Sequence, residues 1–405
     1  MPQAGEGQLT EVASNPPTAL KERSKSATWE HEPLAHVKQR VLRGHEDAVQ
    51  SCQYCCDDQK ILTASFDKTV KLWGVEEGEV AHSFEAHTHH VNQARMSPDN
   101  KKMVSGGWDK KMHVWDVQTG RVLWTADHPG IVTSVSFSKD GKSIVSSSDL
   151  EYNIRVWDTE EGRMISEIKG AHASAVTSCN FTPRDDRLTT TSMDMTSKFW
   201  DLKSQKCTLT LRGHINIISD CSITADERRF ATASWDKTIA LWDIATGSYR
   251  SQGATYLKKS HEGSISSIAF SPDGSMLVSG GYDMNMVVWD ADNCAQKLKL
   301  QGHESWIEDL CWSQDQNWIM SCSKDHTVRL WNVEDSDELP VVMENKRTIG
   351  VKIITCTECG KPFSMMQAED AKSKKCVFCR MQKRDYFVPT TEDQELSSGD
   401  EAPEG

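Results

Sequence analysis

The sequence predicts an all-β fold, a closed ring of seven four-stranded blades, and three observations carry that reading. Tryptophan recurs at Trp73, Trp115, Trp157, Trp200, Trp242, Trp289 and Trp331, at a near-constant spacing with one longer interval between Trp242 and Trp289. A histidine precedes each one, at His45, His87, His128, His172, His214, His261 and His303, by a distance that is the same in six repeats and one longer in the third. Between them stand two further positions. The first, at a constant offset from the histidine, is a hydroxyl residue: Thr63, Ser105, Ser146, Thr190, Thr232, Ser279 or Ser321. The second, again at a constant offset, is an aspartate in six repeats: Asp67, Asp109, Asp194, Asp236, Asp283 and Asp325. In the third repeat Asp149 arrives one position early and an extra residue precedes Trp157. Four positions held in register through seven units mark a repeat architecture before any single segment is interpreted.

The segments between these landmarks read as strands. SISSIAF, MLVSGG and MVVWD are short, β-rich and separated by turns such as SPDG. A lone four-stranded blade cannot bury both of its faces, so neighbouring blades must stack. Five of the tryptophans precede an aspartate (Asp116, Asp158, Asp201, Asp243 and Asp290), the others Gly74 and Asn332, and Gly44-His45, Gly213-His214 and Gly302-His303 form glycine–histidine pairs. These residues resemble the WD40-repeat family, over residues 36 to about 334. The resemblance implies a seven-bladed WD40 β-propeller, in which histidine links aspartate to Ser/Thr and Ser/Thr holds the indole N–H. A Ser-His-Asp triad would also use these residue types, but a triad is built once and this set appears seven times.

Phase supplies the closure. His36 to Arg43 (HVKQRVLR) precedes the first histidine and has no blade of its own. The resemblance implies that it completes the last blade, whose other strands come from residues 304–333, leaving no exposed sheet edge at the seam. The connection between repeats five and six (ATGSYRSQGATYLKKS) is longer than the others, a place for function or for tolerated drift. The predicted organisation is a disordered tail over 1–35, the propeller over 36–339, a four-cysteine module over 345–388 and an acidic disordered tail over 389–405.

Composition narrows the function classes. A net charge of -13 disfavours a whole-surface nucleic-acid binder. No apolar stretch is long enough to span a bilayer, and the start of the chain lacks the basic and apolar regions of a signal peptide. The expectation is an intracellular protein, cytoplasmic or nuclear, with its thirteen cysteines reduced, buried or metal-bound. No nucleophile elbow or phosphate loop is present, so neither an enzyme nor a small-molecule substrate is expected.

The resemblance implies partner binding on the top face, around the central channel, with the residue before the tight-turn aspartate as a recurrent contact. Those residues are Phe66, Trp108, Met193, Trp235, Tyr282 and Lys324, with Ser148 in the irregular repeat. Turns normally take small or polar residues, so four aromatics and a methionine ask for another explanation. Trp306 and His90, which share one position shortly after a repeat histidine, join them. A binding surface for a protein or peptide fits this composition; so does a structural collar of rings packed across blade tops.

Cys356, Cys359, Cys376 and Cys379 form C-x2-C-x16-C-x2-C, a spacing that reads as one structural zinc site with all four coordination positions filled. CTECGKPF resembles a zinc knuckle, whereas Arg380 stands where the second half would have glycine. A redox pair, an iron–sulfur site and free thiols are the alternatives. Cys52, Cys179 and Cys221, which share one repeat position, read as core residues, and Cys55 and Cys56 as accessible turn thiols.

Lys372, Lys374, Lys375, Arg380, Lys383 and Arg384 cluster within 372–384, a solvated face or a local contact for nucleic acid or an acidic protein. Ser397 and Ser398 precede Asp400 and Glu401 at a spacing suited to acid-directed phosphorylation. The sequence thus supports a non-enzymatic interaction scaffold. The alternatives are a ubiquitin-ligase substrate receptor and a nucleic-acid-associated factor acting through the basic zinc module. The receptor role is often marked in the family by arginine at the second position after the WD aspartate; here Gln118, Glu160, Lys203, Ala245, Asp292 and Glu334 stand there.

Overall fold

A computed structural model describes residues 37–247, 250, 253–258 and 260–334, with two short strands at Ile353–Thr355 and Pro362–Ser364. The chain divides into two compact units, Met1–Val342 and Met343–Gly405. The four cysteines of the zinc motif, the basic cluster and both tails lie outside the described residues.

The first unit holds seven four-stranded antiparallel sheets. Blade two is representative, with strands Val91–Met96, Lys102–Gly107, Lys111–Asp116 and Val122–Asp127 in spatial order from channel to rim. Burial follows position. The second strand is covered on both faces, as in Lys102–Gly107 and Met276–Gly281, because the neighbouring blades press on it from either side. The outermost strand is wet along much of its length, as in Val80–Glu85, where only Phe84 is buried.

The apolar core consists of layers between blades. Leu62, Ala64, Val70, Leu72 and Phe84 of blade one pack on Val91, Ala94, Met96, Met103 and Trp115 of blade two. Each repeat tryptophan therefore serves two blades: its ring fills the layer and its N–H is bonded within its own sheet.

Gln39–Arg43 closes the ring as the sequence implied. It pairs antiparallel with Thr327–Asn332, from Gln39 opposite Trp331 to Arg43 opposite Thr327, and becomes the fourth strand of blade seven. Leu42 then joins Val328 and Leu330 against Val49, Cys52, Ile61 and Trp73 of blade one. The long connection after repeat five leaves blade five with a very short outer strand, Thr255–Leu257.

All seven inner strands carry a register shift at one repeat position. It falls between Val49 and Ser51, Val91 and Gln93, Val132 and Ser134, Val176 and Ser178, Ile218 and Asp220, Ile265 and Ser267, and Ile307 and Asp309. A bulge adds one unpaired residue and re-aims the side chains around it. Here the two side chains at each bulge are polar, and several reach the neighbouring blade: Asn92 donates to the Val132 carbonyl and Gln93 accepts from the Val135 N–H.

Cys52, Cys179, Cys221 and also Cys55 are buried, and only Cys56 of the turn pair is half-exposed. The expectation of an accessible Cys55 is corrected: it ends the inner strand and packs into the layer between blades one and two. In the second unit, Ile353–Thr355 pairs antiparallel with Pro362–Ser364, Thr355 opposite Pro362. No helix among the described residues is long and apolar enough to cross a membrane.

Candidate functional site on the top face

The face that carries the repeat histidines and tight-turn aspartates is built on a polar scaffold. In blade one His45 Nδ1 lies 2.6 Å from Asp67 and Nε2 2.7 Å from Thr63, and Trp73 Nε1 donates to Thr63 at 2.8 Å. Every proton has one place in this chain. The indole N–H donates to the hydroxyl oxygen, the hydroxyl donates to Nε2, and Nδ1–H donates to the carboxylate. Asp67 Oδ2 also accepts the Glu46 N–H, and Oδ1 caps the turn by accepting from Thr69. Burial pushes the Asp67 carboxyl up, but the bonds from His45 and Thr69 outweigh it and hold the group well below the usual range.

The same set closes in blades two, four, five, six and seven, with histidine–aspartate distances of 2.8–3.1 Å. These repeated residues are structural. In blade three His128 still meets Ser146 at 2.9 Å and Trp157 meets Ser146 at 2.7 Å, but His128 Nδ1 and Asp149 Oδ1 are buried without partners.

His87, Asp109 and His113 also present ligand-type atoms within 4.8 Å of one another. Both ring nitrogens of His87 are already engaged, by Asp109 at 2.8 Å and Ser105 at 2.7 Å, so the trio is a tetrad with a neighbouring histidine. Burial first, then His87, brings the His113 imidazole down to about 4, which leaves it neutral.

The residues before the turn aspartates form two clusters, not one ring. Phe66, His90 and Trp108 meet across blades one and two, with ring centroids 4.4 Å apart for Phe66–His90 and 5.1 Å for His90–Trp108. His90 Nδ1 is 2.7 Å from the Phe66 carbonyl and Trp108 Nε1 donates to Asn92 at 2.8 Å. Across blades five to seven Trp235 lies 6.1 Å from Tyr282, which stacks on Trp306 at 4.5 Å. Lys324 Nζ sits 4.3 Å from the Trp306 ring centre and 3.3 Å from Glu308.

Packing does not hide these rings: Trp108 is 45% exposed and Trp306 and Met193 are each 41% exposed. Phe66, Trp235 and Tyr282 are half-buried, and Ser148 is fully buried with its hydroxyl turned to the Leu150 carbonyl.

Further apolar side chains at this level escaped the sequence reading. Met195 and Met284 follow the turn aspartates with φ of 63° and are each more than two-fifths exposed; Ile215 is 85% exposed and Leu150 50%. The signal for the two methionines was present, since the residue after the aspartate is the left-handed position of the turn and usually polar.

Comparison with known proteins agrees with this geometry. The family profile described as "IFT122 first beta-propeller" matches residues 33–254, and "WD domain, G-beta repeat" matches 254–290 and 294–332. The chain is 37% identical over 386 residues to human "WD repeat-containing protein 88", covering 93% of this chain and 82% of the relative. It is 32% identical over 119 residues to mouse "WD repeat and FYVE domain-containing protein 1", covering 28% and 27%. It is 31% identical over 175 residues to "Nuclear distribution protein PAC1-2" of Uncinocarpus reesii, covering 41% and 38%. Six closed tetrads, seven four-stranded blades and these matches lead to one statement: the chain belongs to the WD40-repeat β-propeller family.

Proposed function

We propose that this protein is a non-enzymatic interaction scaffold whose propeller grips a protein or peptide partner on the top face, inside the cell. One observation carries the reading: two aromatic clusters that pack across blade tops still leave Trp108 and Trp306 about two-fifths exposed, as is Met193 on the same face. Exposed aromatic and methionine surface on a rigid frame is the composition of interaction hot spots, and a collar alone would gain by burying it. Homologues named as WD-repeat proteins support a scaffold role. The nine described cysteines are all free, in keeping with a reducing compartment.

The test compares the full-length chain with a Trp108→Ala, Trp235→Ala double variant in affinity purification, alongside thermal melts of both. Loss of a discrete co-purifying protein at unchanged Tm supports the reading. Retention of every partner, or unfolding of the variant, overturns it.

We also propose that Cys356, Cys359, Cys376 and Cys379 hold one structural zinc. The hairpin Ile353–Thr355 and Pro362–Ser364 supports this, because the residues joining its strands in sequence include Cys356 and Cys359. Four thiolates would leave the metal no open position. One zinc per chain, lost in Cys376→Ser, is expected from metal analysis; a metal-free protein with an unchanged tail would remove the proposal.

A further inference from the structure

Below the top face the inner strands of blades five, six and seven, Ile218–Ile223, Ile265–Phe270 and Ile307–Trp312, face the channel. At the position after the bulge they carry Asp220, Ser267 and Asp309. The Ser267 hydroxyl lies 3.0 Å from Asp220 Oδ2 and 3.1 Å from Asp309 Oδ1. A serine has one proton and can give a full hydrogen bond to only one of two carboxylates. If both are ionised, the other contact has no proton of its own. With one carboxylic proton present the row is complete: Asp220 donates to Ser267 and Ser267 donates to Asp309.

The surroundings say which carboxyl carries the proton. Asp309 Oδ2 receives both terminal nitrogens of Arg95 at 3.2 Å and the Cys52 N–H at 3.1 Å, while Oδ1 receives the Leu310 N–H at 2.9 Å. That is the environment of an anion. Asp220 receives only two backbone N–H groups, from Cys221 at 2.8 Å and Ile268 at 3.2 Å, and no cation. Burial raises the Asp220 carboxyl to about 6, with Asp309 adding to the rise. Other ionisable groups at this junction are Arg95, whose charge is felt by both carboxylates, Cys221 beside Asp220, and Glu308 next to Asp309, whose carboxyl burial raises to about 7. Of the strands packed on it, Val176–Phe181 and Ile265–Phe270 bring no charge. Arg187 and Arg229, at the far ends of the other two, are paired with Glu227 and Asp292.

We propose that the channel carries a titratable proton held between Asp220 and Asp309 through Ser267, and that its uptake in mild acid tightens the junction of blades five, six and seven. A cavity of about 240 Å³ there is lined by Gln93, Arg95, Asn180, Asp220 and Asp309, so water can deliver the proton. The three blades joined this way are those that carry Trp235, Tyr282 and Trp306 on top. The device does not depend on what that face binds.

The sign follows from linkage: a carboxyl whose folded value is raised favours the folded state below its unfolded value, and that contribution is lost as pH rises through the folded value. Asp220→Asn keeps the shape and supplies a permanent donor toward Ser267. Melts of full-length wild type and Asp220→Asn between pH 5.0 and 7.5 are expected to converge in acid, and the variant to melt higher at pH 7.5. Acid-minus-neutral infrared difference spectra of wild type should contain a carboxylic C=O component, beside that of Glu308, which is lost in Asp220→Asn and altered in Ser267→Ala. Parallel melting curves at all pH values, or a difference spectrum that Asp220→Asn leaves unchanged, would overturn the proposal. If Asp220→Asn does not fold, the change of the wild-type spectrum in Ser267→Ala decides the matter, and a spectrum that Ser267→Ala leaves unchanged refutes the shared proton.

Discussion

Blade three and blade five differ in the residue after the repeat histidine and in the length of the tight turn, and their contrast at the tetrad follows from those two changes. In blade five Asp236 bonds His214 at 2.8 Å, the Ile215 N–H at 3.1 Å and the turn at Thr238. In blade three the residue after the histidine is Pro129, which has no N–H to give. The extra residue lengthens the turn, and Glu151 and Tyr152 both take positive φ where the other blades place one such residue. Asp149 swings over Gly130, where an added Cβ would come within 2.1 Å of its carboxylate. Arg155, held by Glu151 at 2.6 Å and Glu167 at 3.0 Å, lies near His128 instead. Burial first, then Arg155, takes His128 down to about 4, so it stays neutral. Stacking between neighbours thus preserves a blade whose own tetrad is incomplete.

The largest contrast is expected from removing the aspartates. Asp236→Ala strands the His214 N–H and uncaps a turn, and should cost about 3 kcal/mol in urea unfolding. Asp149→Ala should cost less than about 1 kcal/mol, since its bonds are already missing. Equal costs would break the comparison.

Acid sharpens it next. Burial raises the Asp283 carboxyl, but His261 and the N–H groups of Glu262 and Asn285 bring it down to about 2. A depressed carboxyl contributes stability above its unfolded value, about 3.9, and loses it as pH falls through the folded one. Asp283→Asn should therefore be about 2 kcal/mol less stable at pH 6 and match wild type near pH 2. Urea titrations across that range check it.

Smaller effects remain. Gly130→Ala should cost about 1 kcal/mol, because the obstructing atoms are the mobile ends of Asp149 and Leu150. Trp108→Ala alone should change the unfolding free energy by less than about 1 kcal/mol, since much of its ring already faces solvent; a larger loss would make it chiefly a collar residue.

Much of the frame was legible because its landmarks are chemical necessities repeated seven times. A residue set that recurs seven times at constant offsets is structural, and the family resemblance implied that each histidine links its Asp to its Ser/Thr. The irregular spacing at Asp149 was visible; its consequence was not, because that depended on which N–H the aspartate would have met. The sequence singled out the residues before the turn aspartates, but their division into two clusters depends on which turn abuts which loop.

The sequence by itself determined the blade count and the structural role of the seven-fold repeated histidines, since periodicity is a local fact, while the closing strand within 36–43 was implied by the family resemblance. Only the tertiary structure decided the bulge in every inner strand, the meeting of Asp220, Ser267 and Asp309, and the loss of Asp149 from its tetrad. Those three depend on the distance between residues of different repeats, or on a one-position change of register. Ring closure sets those distances, and no single repeat encodes them.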